Sequence, residues 1–490
     1  MIEIDLDPST KDCLPSNFMH GYSSASYQIE GGFKQDGRGL SVWDDVLRDA
    51  PLGNGDVACD SYNLWKDDVR LLQQYGANTY RFSISWSRII PLGGRNDPIN
   101  PKGLAYYSNL IDALLNAGIT PFITLFHWDT PLALEERYGG FNATGHQKEE
   151  LMQDWERYAA LVFDTFGDHV KHWITHNEPQ SYAILNARVL KKDNFDVEVD
   201  RWVLGNNLIL THARAVALYR REFQQRQRGI IGITLDIEWV EPLFETPEAN
   251  TAAEESVDIL AGWQSSRTDL GKHNETIKKF ANGNLPDFTA EEWKLIKGSY
   301  DFFGVNHYST KWATGVVRQG LTSDERYHGD FEHVTQDQQG KAIGRRGHNG
   351  HPYDVPWGFR KLLNDIRRRW MGPRSVPIYI TENGFAGDHE GDRTLEEIVN
   401  DEDRQEYFRG YLEAMAKAVK EDGIDVAGYF GWSLLDNLEW SMGYAPRFGV
   451  THVDRENGCK RTPKDSTVVI KSIFHHLVAS SEGDTAQSVM

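Results

Sequence analysis

The chain has 490 residues, of which 40% are hydrophobic, so it can bury a sizeable core and is not a disordered protein. Its 52 basic and 72 acidic side chains give a formal net charge of −20, which argues against nucleic acid as a partner. Three scattered cysteines provide neither a disulfide framework nor a zinc motif.

The N-terminal residues 1–5 carry acidic side chains where a signal peptide requires a basic patch followed by an apolar run. No uninterrupted stretch of about 18 apolar residues follows, so we predict no membrane span and no membrane partner. We therefore expect a cytoplasmic protein in a reducing compartment, in line with the odd number of cysteines. The sequence leaves the oligomeric state open.

Short apolar runs rich in β-branched and aromatic residues alternate with longer amphipathic stretches. Four of these stretches have helical spacing and stop at a glycine suited to a C-terminal cap, namely Gly76, Gly118, Gly167 and Gly423. Eight runs are predicted as strands, at 18–24, 79–83, 121–128, 173–177, 230–235, 302–308, 378–381 and 426–432.

Eight consecutive βα units predict an α/β fold, a single (β/α)8 TIM barrel with long βα loops over residues 1–479, followed by a polar C-terminal tail over 480–490. The alternative, a doubly wound open sheet, normally carries a Gly-rich phosphate turn that this sequence lacks. The longest irregular stretch, 314–354, follows the sixth strand, and we predict that it is a functional loop.

Catalytic side chains of such barrels project from the C-terminal ends of the strands. The fourth predicted strand ends in THNEP, with Glu178, and the seventh ends in ITENG, with Glu382. Alone, each motif is weak, because Pro and Asn-Gly occur wherever a strand turns. Together they place two carboxyl groups opposite each other across the barrel mouth, as cleavage of a glycosidic bond requires, one of them protonated and the other ionised.

The other strand ends add amides, an imidazole, a further carboxylate and three indoles, which are groups suited to binding a ring of hydroxyls. These candidates are Gln28, Arg81, His127, Trp128, Asn306, Tyr308, Trp432, Glu439 and Trp440. Arg81 is either a structural ion-pair partner or a cation that keeps Glu382 ionised. His127 is either a core imidazole or a ligand of the substrate.

Seven ordered blocks, spread over nearly the whole chain, resemble glycoside hydrolase family 1, the retaining β-glycosidases typified by β-glucosidase, including fungal members. The blocks are FMHGYSSASYQIEG at 18–31, YRFSISW at 80–86, HW at 127–128, NEP at 177–179, NHY at 306–308, ITENG at 380–384 and WSLLDNLEW at 432–440.

The resemblance implies that Glu178 is the acid/base and Glu382 the nucleophile. It implies that Gln28, His127, Asn177, Glu439 and Trp440 bind hydroxyls of the non-reducing sugar, with Trp128 among the binding residues, Trp432 as the platform, and Asn306 and Tyr308 supporting the 2-hydroxyl and the nucleophile. The pair Glu439-Trp440 implies an unphosphorylated hexose. No metal and no cofactor are implied.

The sequence departs from the family pattern on the leaving-group side. A charged segment, 186–200, stands where a Gly-rich loop is usual, and His176 stands where Phe is common. His351 lies in a segment where a Trp often lines the leaving-group site. The resemblance therefore predicts the sugar site but not the preferred leaving group.

We thus predict an exo-acting retaining β-glycosidase, a β-glucosidase acting on small β-glucosides or cello-oligosaccharides, with a role in cellulose degradation. The alternatives are β-galactosidase or β-fucosidase specificity, a catalytically weakened or silent sugar-binding relative, and a metal-dependent barrel hydrolase that uses His127 with acidic neighbours.

Overall fold

A computed structural model describes residues 6–189, 195–270, 273–321, 326–371 and 376–480, without side-chain detail at 186–189 and 262–270. The predicted tail from residue 480 therefore lies outside the described residues except for its first position. Residues 190–194 of the charged segment also lie outside them.

Eight parallel strands, β1 to β8, form a closed barrel in which each strand pairs with its neighbours in chain order and β8 pairs with β1. The strands are β1 Met19–Ser23, β2 Thr79–Ser83, β3 Thr120–Phe126, β4 His172–Asn177, β5 Ile230–Asp236, β6 Phe303–Asn306, β7 Ile378–Asn383 and β8 Val426–Trp432. The predicted (β/α)8 fold is confirmed, because all eight predicted runs form the barrel strands.

A long helix follows each barrel strand and covers the outside of the barrel. These helices are α1 Ser61–Gln74, α2 Pro101–Asn116, α3 Gly145–Phe166, α4 Val197–Leu218, α5 Pro247–Leu270, α6 Pro356–Arg369, α7 Glu402–Lys420 and α8 Ser466–Leu477. Shorter helices lie in the loops, at Ser26–Ile29, Val42–Val46, Trp86–Ile89, Leu132–Tyr138, Pro179–Val189, Gln224–Gln227, Glu275–Ala281, Ala290–Ile296 and Leu395–Val399. Within the described ranges, no helix is long and apolar enough to cross a membrane.

Three of the four predicted glycine caps have the left-handed backbone that a helix end requires, with φ of 74° at Gly76, 73° at Gly118 and 66° at Gly423. Gly167 also lies at the end of its helix, as predicted, but its φ is −70°, so it keeps the right-handed turn of α3. The reason for glycine there is space. A Cβ at this position would lie 2.0 Å from Oε1 of Gln227.

Aromatic side chains fill the barrel interior below the strand ends. The ring of Phe122 lies 5.5 Å from that of Phe302 and 5.2 Å from those of Tyr379 and Phe430. These rings and Ile174 form one buried cluster. Because these side chains fill the lower part of the barrel, a substrate can bind only above them, at the C-terminal ends of the strands.

The stretch 314–354 is more regular than expected. The strand Thr310–Val317 pairs in parallel with Trp239–Pro242 and antiparallel with Phe331–Val334, forming a small sheet beside the barrel mouth. Two-stranded sheets occur at Arg345–Arg346 with Tyr353–Asp354, and at Thr451–Asp454 with Lys460–Pro463. Backbone pairing across the first sheet gives order to a segment whose Gly and polar content indicated a loop.

Candidate active site

A cavity of about 1000 Å³ lies at the C-terminal ends of the barrel strands. Ten of the twelve predicted site residues line it, namely Gln28, His127, Trp128, Asn177, Glu178, Tyr308, Glu382, Trp432, Glu439 and Trp440. The other two, Arg81 and Asn306, are buried beside the two carboxyl groups. The structure thus brings together all of the side chains singled out at the strand ends.

Glu178 directly follows β4, and its backbone turns sharply there, with a left-handed φ of 44°. Its N–H donates to the carbonyl of Thr234 on β5 at 2.9 Å, and Oε1 accepts a 2.6 Å hydrogen bond from Nδ2 of Asn306. Burial raises the pKa of Glu178 well above its usual range, and the negative charges of Asp236 and Glu382 raise it further. This carboxyl group therefore favours the protonated form.

Glu382 lies near the end of β7 and is held on both oxygens. Oε1 forms an ion pair with the guanidinium of Arg81, and Oε2 accepts a 2.6 Å hydrogen bond from the phenol of Tyr308. Arg81 is fully buried and also donates to Oγ1 of Thr124 at 3.2 Å. A buried cation and a hydroxyl donor thus hold this carboxyl group in a fixed position.

Two amides connect the carboxyl groups. Oδ1 of Asn177 accepts from Arg81 at 2.7 Å and from Nδ2 of Asn306 at 3.1 Å. The same Nδ2 of Asn306 donates to Glu178. In the structure Asn306 therefore contacts Glu178 and Asn177, whereas the resemblance implied that it supports the nucleophile along with Tyr308.

Polar groups for hydroxyl binding meet at Glu439. Trp432 donates from Nε1 to Oε1 of Glu439 at 3.3 Å, and Nε2 of Gln28 lies 3.4 Å from Oε2. Burial raises the pKa of Glu439 to about 8, so at neutral pH its carboxyl group can donate as well as accept a hydrogen bond. Oε1 of Gln28 has no hydrogen-bond partner among the described residues and remains available to a ligand.

Flat rings surround these polar groups. The rings of His127 and Trp432 are nearly parallel, with centroids 5.9 Å apart. The ring centroids of Trp128 and Trp440 are 4.9 Å apart. Burial lowers the pKa of His127 well below its usual range, and the Arg81 charge lowers it further, so the imidazole is neutral. Its Nε2 lies 3.1 Å from Nδ2 of Asn177. This end of the cavity combines stacking surfaces with uncharged hydrogen-bonding groups.

The outer half of the cavity contains residues that the sequence analysis did not single out. Asp236 and Glu238 come from the end of β5, and Lys311, Tyr327, His328 and His333 come from the segment after β6. Glu238 Oε2 lies 2.9 Å from Nζ of Lys311 and 2.5 Å from Nε2 of His328. The strand-end rule that identified Glu178 would also have found Asp236 and Glu238. His351 lines the same wall.

His176 does not belong to the outer pocket, which corrects the expectation from the family pattern. Its ring stacks on Trp155 of α3 with centroids 4.6 Å apart, and Nε2 lies 3.0 Å from Oγ1 of Thr211 on α4. Adjacent strand residues face opposite sides, so His176 points outward while Asn177 points to the cavity.

Within the part of the chain that the structure describes, no group of three or more His, Cys, Asp or Glu side chains is arranged to hold a metal ion.

Comparison with known proteins gives consistent results. The family model described as glycosyl hydrolase family 1 matches residues 10–477. The chain is 44% identical to β-glucosidase 1B of Phanerodontia chrysosporium, over 97% of this chain and 88% of that protein. It is 37% identical to β-glucosidase 42 of Arabidopsis thaliana, over 95% of each. A crystal structure of a family 1 β-glucosidase from the fungus Humicola insolens in complex with glucose superposes with a TM-score of 0.90 at 43% identity, covering 95% of this chain and 99% of that one.

Proposed function

The chain belongs to glycosyl hydrolase family 1, and from that membership we propose that it is an exo-acting retaining β-glucosidase. It hydrolyses glycosidic bonds and releases the terminal non-reducing β-D-glucosyl residue of its substrate. The substrates are cellobiose and similar disaccharides, cello-oligosaccharides, and aryl or alkyl β-glucosides. The observation that carries this proposal is one cavity lined by two carboxyl groups in opposite electrostatic surroundings.

In the first step, Glu382 attacks the anomeric carbon, and a bond forms between that carbon and a carboxylate oxygen. The bond to the leaving-group oxygen breaks, and Glu178 gives its proton to that oxygen. The hydrogen bond from Tyr308 and the ion pair with Arg81 support Glu382 in this role, since they hold the attacking carboxylate in place. The raised pKa of Glu178 supports its role as the proton donor.

In the second step, water attacks the anomeric carbon of the glucosyl ester, and the bond to Glu382 breaks. Glu178, now ionised, takes the proton from the water and is thereby restored to its starting form. The charge of Glu382 is absent in the ester, and the pKa of Glu178 falls accordingly, which suits its change from acid to base. Two inversions at one carbon give a product with the β configuration of the substrate.

The inner end of the cavity supports recognition of a neutral hexose. Gln28, His127 and Glu439 present donors and acceptors without a cationic cluster that would favour a phosphate, and Trp432 offers an aromatic face for the sugar ring. Neutral partners around a buried ring of hydroxyls match the chemistry of an unphosphorylated glucosyl group.

A panel of nitrophenyl β-glycosides and disaccharides tests the function, with the product anomer followed by NMR. We expect the highest kcat/KM on β-glucosides and release of β-glucose as the first-formed anomer. Higher kcat/KM on β-galactosides or β-fucosides would overturn the sugar preference, and α-glucose as the first product would overturn retention. Binding without turnover on every substrate would indicate a silent sugar-binding relative.

A further inference from the structure

Asp236, at the end of β5, is a further carboxyl group in the cavity, in addition to the two assigned to catalysis. Its Cα is paired in the sheet with that of Asn306, the residue that donates to Glu178. Two positions earlier on the same strand, the carbonyl of Thr234 accepts the N–H of Glu178 at 2.9 Å. Asp236 therefore lies beside Glu178 on a strand that contacts it directly, and both side chains line the cavity.

Tyr327 connects Asp236 to the helix that directly follows Glu178. Its phenol donates a 2.5 Å hydrogen bond to Oδ2 of Asp236. The phenol oxygen of Tyr327 lies 2.8 Å from Oγ of Ser181, which is in the first turn of the helix Pro179–Val189. Because Tyr327 donates to Asp236, its oxygen can accept from Ser181. Three side chains thus form one hydrogen-bonded chain along the wall next to Glu178.

The charged groups around Glu178 are few. Asp236 faces it from β5, Glu382 from β7 and Arg81 from β2, and Asn306 donates to it from β6. Arg81 already forms the ion pair with Glu382. Asp236 therefore supplies a carboxylate charge beside Glu178 that Arg81 does not neutralise by direct contact.

Asp236 itself faces Glu238, Glu382, Lys311 and the phenol of Tyr327. The charge of Glu238 is countered by Lys311 at 2.9 Å, and the same carboxyl group lies 2.5 Å from Nε2 of His328 and 3.6 Å from Nδ1 of His351. Burial raises the pKa of Asp236 to about 7, with a further contribution from the charge of Glu238, while the hydrogen bond from Tyr327 lowers it. Asp236 is therefore ionised on the alkaline side of neutral pH. Tyr327 thus favours the ionised form of Asp236.

We propose that Asp236, held by Tyr327, is a positioning residue of the hydrolysis that keeps the proton on Glu178 until the leaving group takes it. The negative charge of Asp236 opposes ionisation of Glu178 in the first step. Unlike the charge of Glu382, it persists in the glucosyl ester, where it strengthens Glu178 as the base that activates water. The inference rests on the proposed role of Glu178 as the acid/base.

The test is the pH profile of kcat/KM on an aryl β-glucoside. The alkaline limb reports ionisation of the acid in the free enzyme. Asp236→Asn removes a negative charge beside Glu178, so we expect the limb to move to lower pH by about one unit. Tyr327→Phe weakens the ionised form of Asp236 and should move the limb in the same direction by less. The double variant should match Asp236→Asn, because Tyr327 acts through Asp236.

Asp337→Asn is the matched control. It removes a carboxylate that also lines the cavity, but Asp337 accepts from the backbone N–H groups of Gln339 and Lys341, both at 2.9 Å. The alkaline limb of the kcat/KM profile of Asp337→Asn should lie at the same pH as that of the parent enzyme. Thermal melting of each variant checks folding, and Tyr327→Phe, which keeps the ring, still tests the inference if Asp236→Asn does not fold.

Glu178→Ala distinguishes a failure of the role of Asp236 from a failure of the role of Glu178. If this variant loses the alkaline limb while Asp236→Asn and Tyr327→Phe leave it unmoved, the inference about Asp236 is wrong and the role of Glu178 stands. If Glu178→Ala keeps the limb of the parent enzyme, another group is the acid, and the proposed function of Glu178 fails with the inference.

Discussion

Asn306 donates a 2.6 Å hydrogen bond to Glu178 across the end of β5, which lies between the strands that carry them. Two residues later, Tyr308 donates to Glu382 on the other side, also at 2.6 Å. The segment that leaves β6 therefore holds both carboxyl groups, each through one neutral donor. This arrangement fixes their mutual position without placing a cation against Glu178.

Replacing Glu382 tests the nucleophile. We expect Glu382→Gly to lower kcat on a chromogenic β-glucoside by on the order of 10⁴-fold or more, since no other group can form the ester. Azide should restore part of the turnover, because the small anion can attack from the vacated side, and the product should be the α-glucosyl azide, identified by NMR. A variant with the activity of the parent enzyme would contradict the assignment.

Replacing Glu178 tests the acid. We expect Glu178→Ala to lower kcat/KM by about 10²- to 10⁴-fold for glucosides with poor leaving groups, which need the proton. Activated nitrophenyl glucosides should lose much less in this parameter, because their phenolates leave unprotonated. The measurement is a plot of log kcat/KM against the pKa of the leaving group, which should steepen. An equal loss for all leaving groups would argue against the acid role.

Tyr308→Phe tests the donor on the nucleophile. Loss of a hydrogen bond to a charged group costs about 1.5–3 kcal/mol, so kcat/KM should fall by roughly 10- to 150-fold. Tyr138→Phe is the matched control, since its phenol donates to Asp154 at 3.1 Å away from the cavity. Steady-state kinetics with equal losses in both variants would show that Tyr308 has no particular role.

Much of this site follows from the strand periodicity. The apolar runs gave the barrel, and the parallel arrangement requires that Glu178 and Glu382 reach one face. The fifth predicted strand ends at Leu235, one residue before the observed end at Asp236, so the prediction does not include Asp236 among the strand-end residues. The rule that functional residues lie at strand ends applies to Asp236, but the predicted end of the fifth strand was one residue too early.

Other features depend on contacts that a sequence does not encode locally. An amide such as Asn306 can donate to either carboxyl group, and only the packed strands show that it reaches Glu178. Gly167 does end its helix, but its right-handed φ does not require glycine, and the space taken by Gln227 explains the residue there. Both cases involve residues distant in sequence, so spacing alone could not decide them.

The buried Glu439 gives a pH-dependent stability. Because folding raises its pKa to about 8, the ionised form is less favourable in the folded than in the unfolded chain. Its contribution to the free energy of unfolding is intact below about pH 4, near the unfolded pKa, and is lost as pH rises through 8. Glu439→Gln removes this dependence. Its melting temperature relative to the parent should therefore rise steadily over that range, and a constant difference would contradict the prediction.

His176→Phe should stabilise the protein without changing its kinetics. The imidazole is fully buried, and its Nδ1 has no hydrogen-bond partner among the described residues. A phenyl ring keeps the stacking on Trp155 and removes the unpaired nitrogen, whereas Thr211 keeps its hydrogen bonds to the carbonyls of Asn207 and Leu208, both at 2.9 Å. We expect a gain of about 1 kcal/mol in the free energy of unfolding, measured by denaturant titration, and an unchanged kcat/KM. His176→Ala is the control, which leaves a cavity and should destabilise by about 2–4 kcal/mol. A loss of stability in the Phe variant comparable to that of the Ala variant would show that the contact with Thr211 outweighs the unpaired nitrogen.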